Sequence, residues 1–334
     1  MSQSGKLVQR AEQGLLAALL ALVCVDGFLL GASPLPNLGL SFVAVLAGLG
    51  LWVTARQPEP PEAPHPGDVL AAIAGAGLAC YLVRSQHLTG PLACVIVGTV
   101  AGLLPRLGRL QLDARAAAAY PGSFVGTTSP LVLPMLAQIL IAAALAGLFM
   151  STLRRSWTGV GGKLGLLGFA AVFLTTHTAH LFGNAGPGAS PVSLSHEHIP
   201  VFCAVGALAA VITGQLVSRG WSPVLASALP TLLFRLGLVA AGQGALELPD
   251  PIAFAWIGGS FVGMTSRDRQ QGRRWFLPLA GLLFGILEFG FRPVFAGMGG
   301  TFGATAVVAD LALIGLLALW PLRRAKPRAF HQEE

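Results

Sequence analysis

Apolar stretches about as long as a lipid bilayer is thick recur along almost the whole chain, from Leu15 to Leu322. An α-helix needs about 20 residues to cross the hydrocarbon core of a membrane, and most of these stretches approach that length. Only 10% of the 334 residues are charged and 54% are hydrophobic, whereas a soluble domain carries about 25% charged residues. The pattern predicts an all-α, polytopic helical membrane protein whose solvent is the lipid bilayer.

About twelve spans are predicted, and the fifth and tenth of them are short. The first follows Lys6 and Arg10 as a signal peptide would, but it is long and leads into further spans, so we expect a retained helix. The predicted spans are 15–31, 38–54, 68–83, 90–105, 116–129, 130–151, 159–182, 199–218, 222–241, 252–264, 276–295 and 299–322.

The distribution of basic residues predicts the orientation of these spans. If the N-terminus is cytoplasmic, seventeen of the 21 lysine and arginine residues fall on the inner side. Short cytoplasmic loops of membrane proteins are enriched in these residues. We therefore expect a multi-pass protein of the cell inner (plasma) membrane with both termini in the cytoplasm. The net charge of +7 is explained by topology, and no nucleic-acid partner is implied.

Two motifs recur in the same order at almost the same spacing. Residues 122–129, GSFVGTTS, match residues 259–266, GSFVGMTS, at seven of eight positions and an offset of 137. Residues 159–165, GVGGKLG, match residues 297–303, GMGGTFG, at an offset of 138. Five predicted spans separate equivalent points, so the copies should be inserted in opposite orientations, and the position of the arginine clusters reverses accordingly. We predict a five-plus-five inverted repeat.

The domain organisation follows from the repeat. A proline-rich connector cannot be helical and should be solvated. The predicted segments are an N-terminal two-helix hairpin (1–54), the cytoplasmic connector (55–67), the first five-helix repeat (68–182), an outer loop (183–198), the second five-helix repeat (199–322) and a basic cytoplasmic tail (323–334).

The two GSFVG motifs fall in the short spans and suggest a binding site. Short, glycine-interrupted segments at matching positions of inverted repeats typically bind solute near the bilayer midplane. A helix broken there would free backbone groups, with hydroxyls beside them. The alternative is that the glycines serve close helix packing and bind nothing. The candidate substrate-binding residues are Gly122, Ser123, Gly126, Thr127, Thr128, Ser129, Gly259, Ser260, Gly263, Thr265, Ser266 and Arg235.

Ionisable residues within spans are costly and are therefore functional candidates. Asp310 is the first candidate for a proton- or sodium-coupling group, and Glu288 is the second. Glu288 stands four residues before Arg292, so the two could instead neutralise each other on one helix. Arg235 could bind an anionic solute or hold Asp310. Asp310 has Val172 at its repeat position, so the coupling chemistry is expected in the second repeat.

Four histidines cluster near the predicted outer side. His177 and His180 share a helix face, and His196 and His198 flank Glu197 in the following loop. Imidazoles beside a carboxylate are suitable ligands for a transition metal, although interfacial histidines without a ligand or pH sensors fit the same pattern. No serine nucleophile elbow, P-loop or paired catalytic carboxylate is present, and no cofactor is predicted.

The function favoured by these features is secondary transport of a small polar or anionic solute by alternating access. The alternatives are a passive channel lined by the GSFVG segments, and a membrane-embedded histidine-metal enzyme or metal-handling protein. Five-plus-five inverted repeats with broken helices occur in several transporter folds, including the leucine-transporter-like, bile-acid-symporter-like and sodium–proton antiporter groups. This likeness is architectural and assigns no substrate. The expected partners are the bilayer and a small solute or ion; the sequence carries no signal of oligomeric state.

Overall fold

In a computed structural model the described part of the chain is helical, without strands. The structure describes residues 37–55, 65–107, 113–184, 186, 196–242, 249–291 and 295–319. The helices are α1 (Asn37–Ala55), α2 (Pro66–Arg84), α3 (Gly90–Leu107), α4 (Asp113–Gly126), α5 (Leu136–Thr152), α6 (Lys163–Leu181), α7 (Ile199–Ser218), α8 (Pro223–Ala240), α9 (Pro249–Gly263), α10 (Phe276–Phe291) and α11 (Thr301–Leu319).

These helices lie at eleven of the twelve predicted spans. The first predicted span, most of the proline-rich connector, most of the outer loop and the basic tail lie outside the described residues. Among the described helices, α2, α6, α7, α8 and α11 are long and apolar enough to cross a membrane, and α3, α5, α9 and α10 contain shorter apolar stretches. Large apolar side chains such as Leu70, Ile141 and Leu233 face outward, which suits a surface covered by lipid.

Local sequence explains where several helices begin. Pro66 opens α2, where its missing N–H costs nothing, and the side chain of His65 accepts a hydrogen bond from the Gly67 amide. Pro223 opens α8 behind Ser222, whose hydroxyl accepts from the Leu225 amide. Each cap satisfies an amide that the helix itself cannot pair.

The helices form two sets of five with matching neighbours. In the first set α2 packs against α4 and α5, and α4 packs against α6; in the second, α7 packs against α9 and α10, and α9 packs against α11. The sets meet where α3 contacts α8 and where α6 contacts α11. Helix α1 stands outside this correspondence and packs along α11.

Helices α6 and α11 cross in antiparallel fashion close to their N-terminal ends. A Cβ added to Gly162 would meet Gly303, Ala306 and Val307, whereas one added to Gly300 would meet Gly165 and Phe169. Residue numbers therefore rise along one helix as they fall along the other. Gly165 and Gly303 occupy equivalent positions in the two motifs and face each other at the crossing, where no side chain would fit between the backbones.

The arginine-rich loops of both sets meet at one end of the bundle. Arg269, in the turn between α9 and α10, donates from Nε to the carbonyl of Thr158, in the loop between α5 and α6, at 3.1 Å. In that loop Arg154 pairs with the buried carboxylate of Asp68 at 2.5 Å. The buried Lys163 donates to the carbonyls of Arg154 and Ser156, which fixes the loop over the start of α6.

Candidate functional site at the junctions of the two helix sets

The GSFVG motifs are helical throughout, which corrects the prediction that they interrupt their helices. Helices α4 and α9 continue through the motifs and end at Gly126 and Gly263. They are short, as predicted, at 14 and 15 residues. The motif glycines allow close helix approach, as the packing alternative supposed, because an added Cβ would lie less than 3.0 Å from a backbone carbonyl of α2 or α7. These glycines are Gly122, Gly126, Gly259 and Gly263.

Non-helical backbone comes instead from the other repeated motif, at residues 159–165 and 297–303. In each copy, this motif contacts the end of the short helix that belongs to the opposite set. After α9, the Ser266 amide donates to the Gly159 carbonyl of the first set at 2.9 Å. After α4, the Ser129 amide donates to the Gly297 carbonyl of the second set, also at 2.9 Å. Gly159 and Gly297 both have a φ of +77°, a left-handed conformation that glycine adopts without strain.

We call these contacts the first junction (residues 159–162 with 265–266) and the second junction (residues 297–300 with 128–129). The same backbone hydrogen bond therefore occurs twice, once in each junction, between residues related by the offsets of the sequence repeat. The partners come from opposite sets each time. Each junction links the end of one short helix to the start of α6 or α11, so a movement of one set relative to the other must act on both.

Asp310 occupies the first junction. Its side chain is fully buried in α11, and Oδ2 accepts hydrogen bonds from the Gly161 amide at 2.8 Å and from the Thr265 hydroxyl. Its other oxygen, Oδ1, is buried and accepts no hydrogen bond from the described residues. The carboxyl thus joins three elements, α11, the start of α6 and the end of α9, through Oδ2 alone.

The second junction lacks a carboxyl. Here the Gly299 amide donates directly to the Thr128 hydroxyl at 3.2 Å, and the position equivalent to Asp310 is the buried Val172. Thr128 is the repeat equivalent of Thr265, and Gly299 is that of Gly161. The two junctions share their backbone geometry and differ in ionisable chemistry, as the sequence comparison of Asp310 with Val172 predicted.

Between the junctions, buried hydroxyls and aromatic rings fill the centre of the bundle. The hydroxyls of Ser227 and Ser260 are 2.6 Å apart, and Tyr120 Oη lies 3.4 Å from Ser227. The rings of Phe124 and Phe261, again repeat equivalents, make an edge contact with centroids 5.3 Å apart. The hydroxyls are hydrogen-bonded and the rings are closely packed against one another.

The other hydroxyls of the predicted binding site are largely engaged with the backbone. Ser123 donates to the Tyr120 carbonyl at 2.7 Å and Thr127 to the Phe124 carbonyl at 2.8 Å. Ser129 and Ser266 accept from amides in the turns that follow them. In this conformation these groups stabilise the helix ends.

Arg235 is partly buried in α8, whereas the hydrogen bonds of Asp310 among the described residues come from Gly161 and Thr265. The two roles suggested for Arg235, binding of an anionic solute and holding of Asp310, stay predictions. Glu288 is fully buried in α10, while Arg292, its proposed neutralising partner, lies outside the described residues.

The histidines do not form a metal site within the described residues. His177 and His180 are exposed on α6, and the His177 ring lies against Phe173 with its Nδ1 2.9 Å from the Phe173 carbonyl. No group of three potential ligands surrounds a common point in the described part of the chain. The side chain of His196 is not described, so the proposed set of His177, His180, His196 and His198 stays a prediction.

Comparison with protein-family models gives no match. The curated proteins and the solved structures likewise give no significant match to this chain. The fold and the junctions therefore define a helical membrane protein, and its function has to be argued from its own residues.

The crosswise pairing of the two motifs was not anticipated from the sequence. Both motifs were recognised as repeats, but each was interpreted separately. The sequence did contain one signal, because both motifs recur at nearly the same offset. A contact between the GSFVG motif of one copy and the glycine motif at 159–165 or 297–303 of the other copy must therefore occur twice by symmetry. The motif at residues 159–165 and 297–303 supplies the non-helical backbone that the GSFVG motif was expected to supply.

Proposed function

We propose that this protein is a secondary transporter of the cell inner membrane, built from two inverted five-helix repeats that move a small polar or anionic solute by alternating access. The antiparallel crossing of α6 and α11, which carry equivalent motifs, is the relation that inverted repeats require. The meeting of the arginine-rich loops at one end supports a cytoplasmic assignment of that end.

The observation that carries the proposal is the place of Asp310. A carboxyl buried in a membrane span is costly and is retained where it binds ions or protons. Asp310 accepts hydrogen bonds from Gly161 and Thr265, which belong to the two different sets. Its Oδ1 accepts none from the described residues and is therefore open to another partner. Binding at Oδ1 would thus act on the contact between the sets.

The proposed coupling uses the difference between the junctions. A proton or Na⁺ at Asp310 changes the charge of the first junction, whereas the second, with Thr128 and Val172, has no group that responds. An ion that binds one arrangement of the sets more tightly shifts the equilibrium toward it. Opening of the junctions would then release the hydroxyls that follow α4 and α9 to a solute.

The packed centre of the bundle favours a carrier over an open channel. Phe124 and Phe261 belong to the GSFVG segments that the channel alternative takes as its pore lining, and here they pack against each other and against Tyr120. A carrier must keep such a barrier in each state, while a channel must remove it. Electrical recording on reconstituted protein tests this point, because unitary currents would require the channel hypothesis instead.

Asp310→Asn is the direct test of coupling. Asparagine keeps an oxygen for Gly161 and Thr265 but cannot take up a proton. Protein in liposomes with a trapped pH indicator should carry a proton flux driven by a Na⁺ or solute gradient, and the variant should lose it. Candidate solutes come first from a thermal-stability screen, since a ligand of the native state raises its stability.

Asp68→Asn is the matched control, because Asp68 is equally buried but already paired with Arg154. It should keep the ion response if it folds. An unchanged flux in Asp310→Asn, or equal losses in both folded variants, would refute the assignment of Asp310.

Labelling of single cysteines tests the inverted insertion separately. Pro130 follows the end of α4 and Asp268 follows the end of α9, and both are exposed. In a chain without its native cysteines, Pro130→Cys should react with an impermeant maleimide only from outside the cell, and Asp268→Cys only from inside. Reaction of both from one side would remove the inverted architecture and with it the transport mechanism.

A further inference from the structure

A cavity of about 520 Å³ lies at the arginine-rich end of the bundle, and Asp310 is not part of its lining. It opens between α7, the start of α10 and the turn that joins α9 to α10. The side chains that give it chemical character are Gln215 of α7 and Arg267, Gln270, Arg273 and Arg274 of the turn.

The charge of this cavity is one-sided. Three arginines line it, and its described lining includes no carboxylate. The nearest acid in the sequence, Asp268, is exposed on the same turn and is not part of the lining. Three arginines that line one cavity without a carboxylate favour the binding of an anion among them.

Arg273 makes the case more specific than a cluster of surface cations. Its Nε and Nη2 atoms are buried and have no hydrogen-bond acceptor among the described residues, while the guanidinium lies 5.5 Å from the ring of Trp275. An exposed arginine that serves only membrane topology keeps its N–H groups in water. Buried N–H groups without an acceptor carry a desolvation cost that a bound anion removes.

The turn that carries the arginines is held in a defined shape. Gln270 is buried and donates from Nε2 to the Thr265 carbonyl at 2.6 Å. Gln271 and Gly272 follow with positive φ values of 50° and 68°, which reverse the chain so that Arg267 and Arg273 face the same cavity. The backbone that carries the arginines is thus shaped before any ligand arrives, which lowers the cost of binding.

We propose that this cavity binds a phosphate group through Arg267, Arg273 and Arg274. Guanidinium forks pair with phosphate oxygens through two parallel hydrogen bonds, and a tetrahedral anion with several oxygens can engage more than one fork. The phosphate group comes either from an anionic lipid headgroup or from a free phosphate in the cytoplasm.

The test measures the thermal stability of the full chain with two probes. Inorganic phosphate is compared with chloride at equal ionic strength in detergent, and phosphatidylglycerol is compared with phosphatidylcholine in nanodiscs. Stabilisation by both probes indicates a site for the phosphate group itself, and stabilisation by lipid alone indicates a headgroup site. Either result supports the proposal, and no stabilisation by either probe overturns it.

Variants separate this cavity from general charge effects. Arg273→Gln should weaken binding by at least about tenfold, because it removes charge-assisted hydrogen bonds. Arg219→Gln removes an exposed charge at the end of α7, outside the cavity, and should leave affinity unchanged. Should Arg273→Gln fail to fold, the exposed Arg274→Gln takes its place, with Arg274→Lys retaining part of the affinity.

Equal losses in Arg219→Gln and in the cavity variants would refute a specific site. The proposal does not depend on transport, because the assay measures binding. Loss of ion flux in Asp310→Asn therefore leaves it untouched, and its own failure leaves the role of Asp310 standing.

Discussion

Replacement of Gly165 and Gly303, at the crossing of α6 and α11, should lower the free energy of unfolding because the two backbones leave no space for a side chain. Gly165→Ala places a Cβ 2.5 Å from the Cα of Gly303, whereas ordinary Cβ contacts begin near 3.4 Å. The helices must then separate by the difference, about 0.9 Å. Overpacking of this kind costs about 1–3 kcal/mol, and Gly303→Ala should cost a similar amount because it meets the same gap from the other side.

The double variant gives the sharper result. Once the first methyl group has separated the helices, the second enters a gap that is already open. The free-energy loss of the double variant should therefore fall short of the sum of the single losses by about 1 kcal/mol or more. Unfolding in sodium dodecyl sulfate, followed by tryptophan fluorescence, measures all four free energies.

Gly77→Ala is the matched control, since Gly77 lies within α2 with nothing within 4 Å of an added Cβ. It should leave stability unchanged or raise it slightly, because alanine is the better helix former. If the losses at Gly165 and Gly303 simply add, or if neither exceeds that of the control, then α6 and α11 do not cross at this point and the geometry of the junctions is wrong.

Three further predictions concern stability and accessibility. Arg154→Ala should cost on the order of 3 kcal/mol in the same unfolding assay because it leaves the Asp68 carboxylate buried without its partner, and Asp68→Asn in the same chain should recover part of the loss. The free, buried thiols of Cys80, Cys94 and Cys203 should react with a maleimide at least about tenfold more slowly in the folded protein than after unfolding, measured with Cys24 replaced by Ser. Ser260→Ala should cost about 1 kcal/mol because it breaks the 2.6 Å contact with Ser227, whereas Thr178→Ala on the exposed face of α6 should cost less than half of that.

Helix positions were predictable because lipid imposes a simple requirement on sequence. A span must be apolar over its whole length and must satisfy its own backbone, so composition alone marks it. The predicted span 199–218 coincides with α7, and most other described helices differ from their predicted spans by a few residues. Larger differences occur where glycine and proline leave long turns, as between α4 and α5, where the predicted spans touch at 129–130 but nine residues are non-helical.

The state of the GSFVG motifs could not be predicted from the motifs themselves. Glycine weakens a helix in isolation, which suggested a break, but it also permits the closest helix contacts, which restores the helix. The deciding information lies in α2 and α7, where small residues at Ala72, Ala76, Gly206 and Ala210 receive α4 and α9. A contact between distant segments of the chain is not visible in either segment alone.

The partners of Asp310 were likewise hidden. The sequence identified a carboxyl in an apolar span and offered Arg235 as its counter-ion because both seemed to lack partners. The structure satisfies one carboxyl oxygen with neutral donors instead, the Gly161 amide and the Thr265 hydroxyl. Neutral donors leave no sequence signal of charge pairing, so only the repeat of the glycine motif hinted that Gly161 would reach the other set.

Helix α1 adds an asymmetry that bears on the proposed mechanism. It packs on α11 so closely that a Cβ on Gly50 would meet the backbone of Leu311, and one on Gly315 the backbone of Leu46. Leu311 directly follows Asp310, so α1 buttresses α11 at the level of the carboxyl. If the two sets move against each other, α1 must travel with α11, because these backbones leave no space for sliding side chains. The extra helix therefore braces the set that carries Asp310, and the set with Thr128 and Val172 has no comparable helix among the described residues.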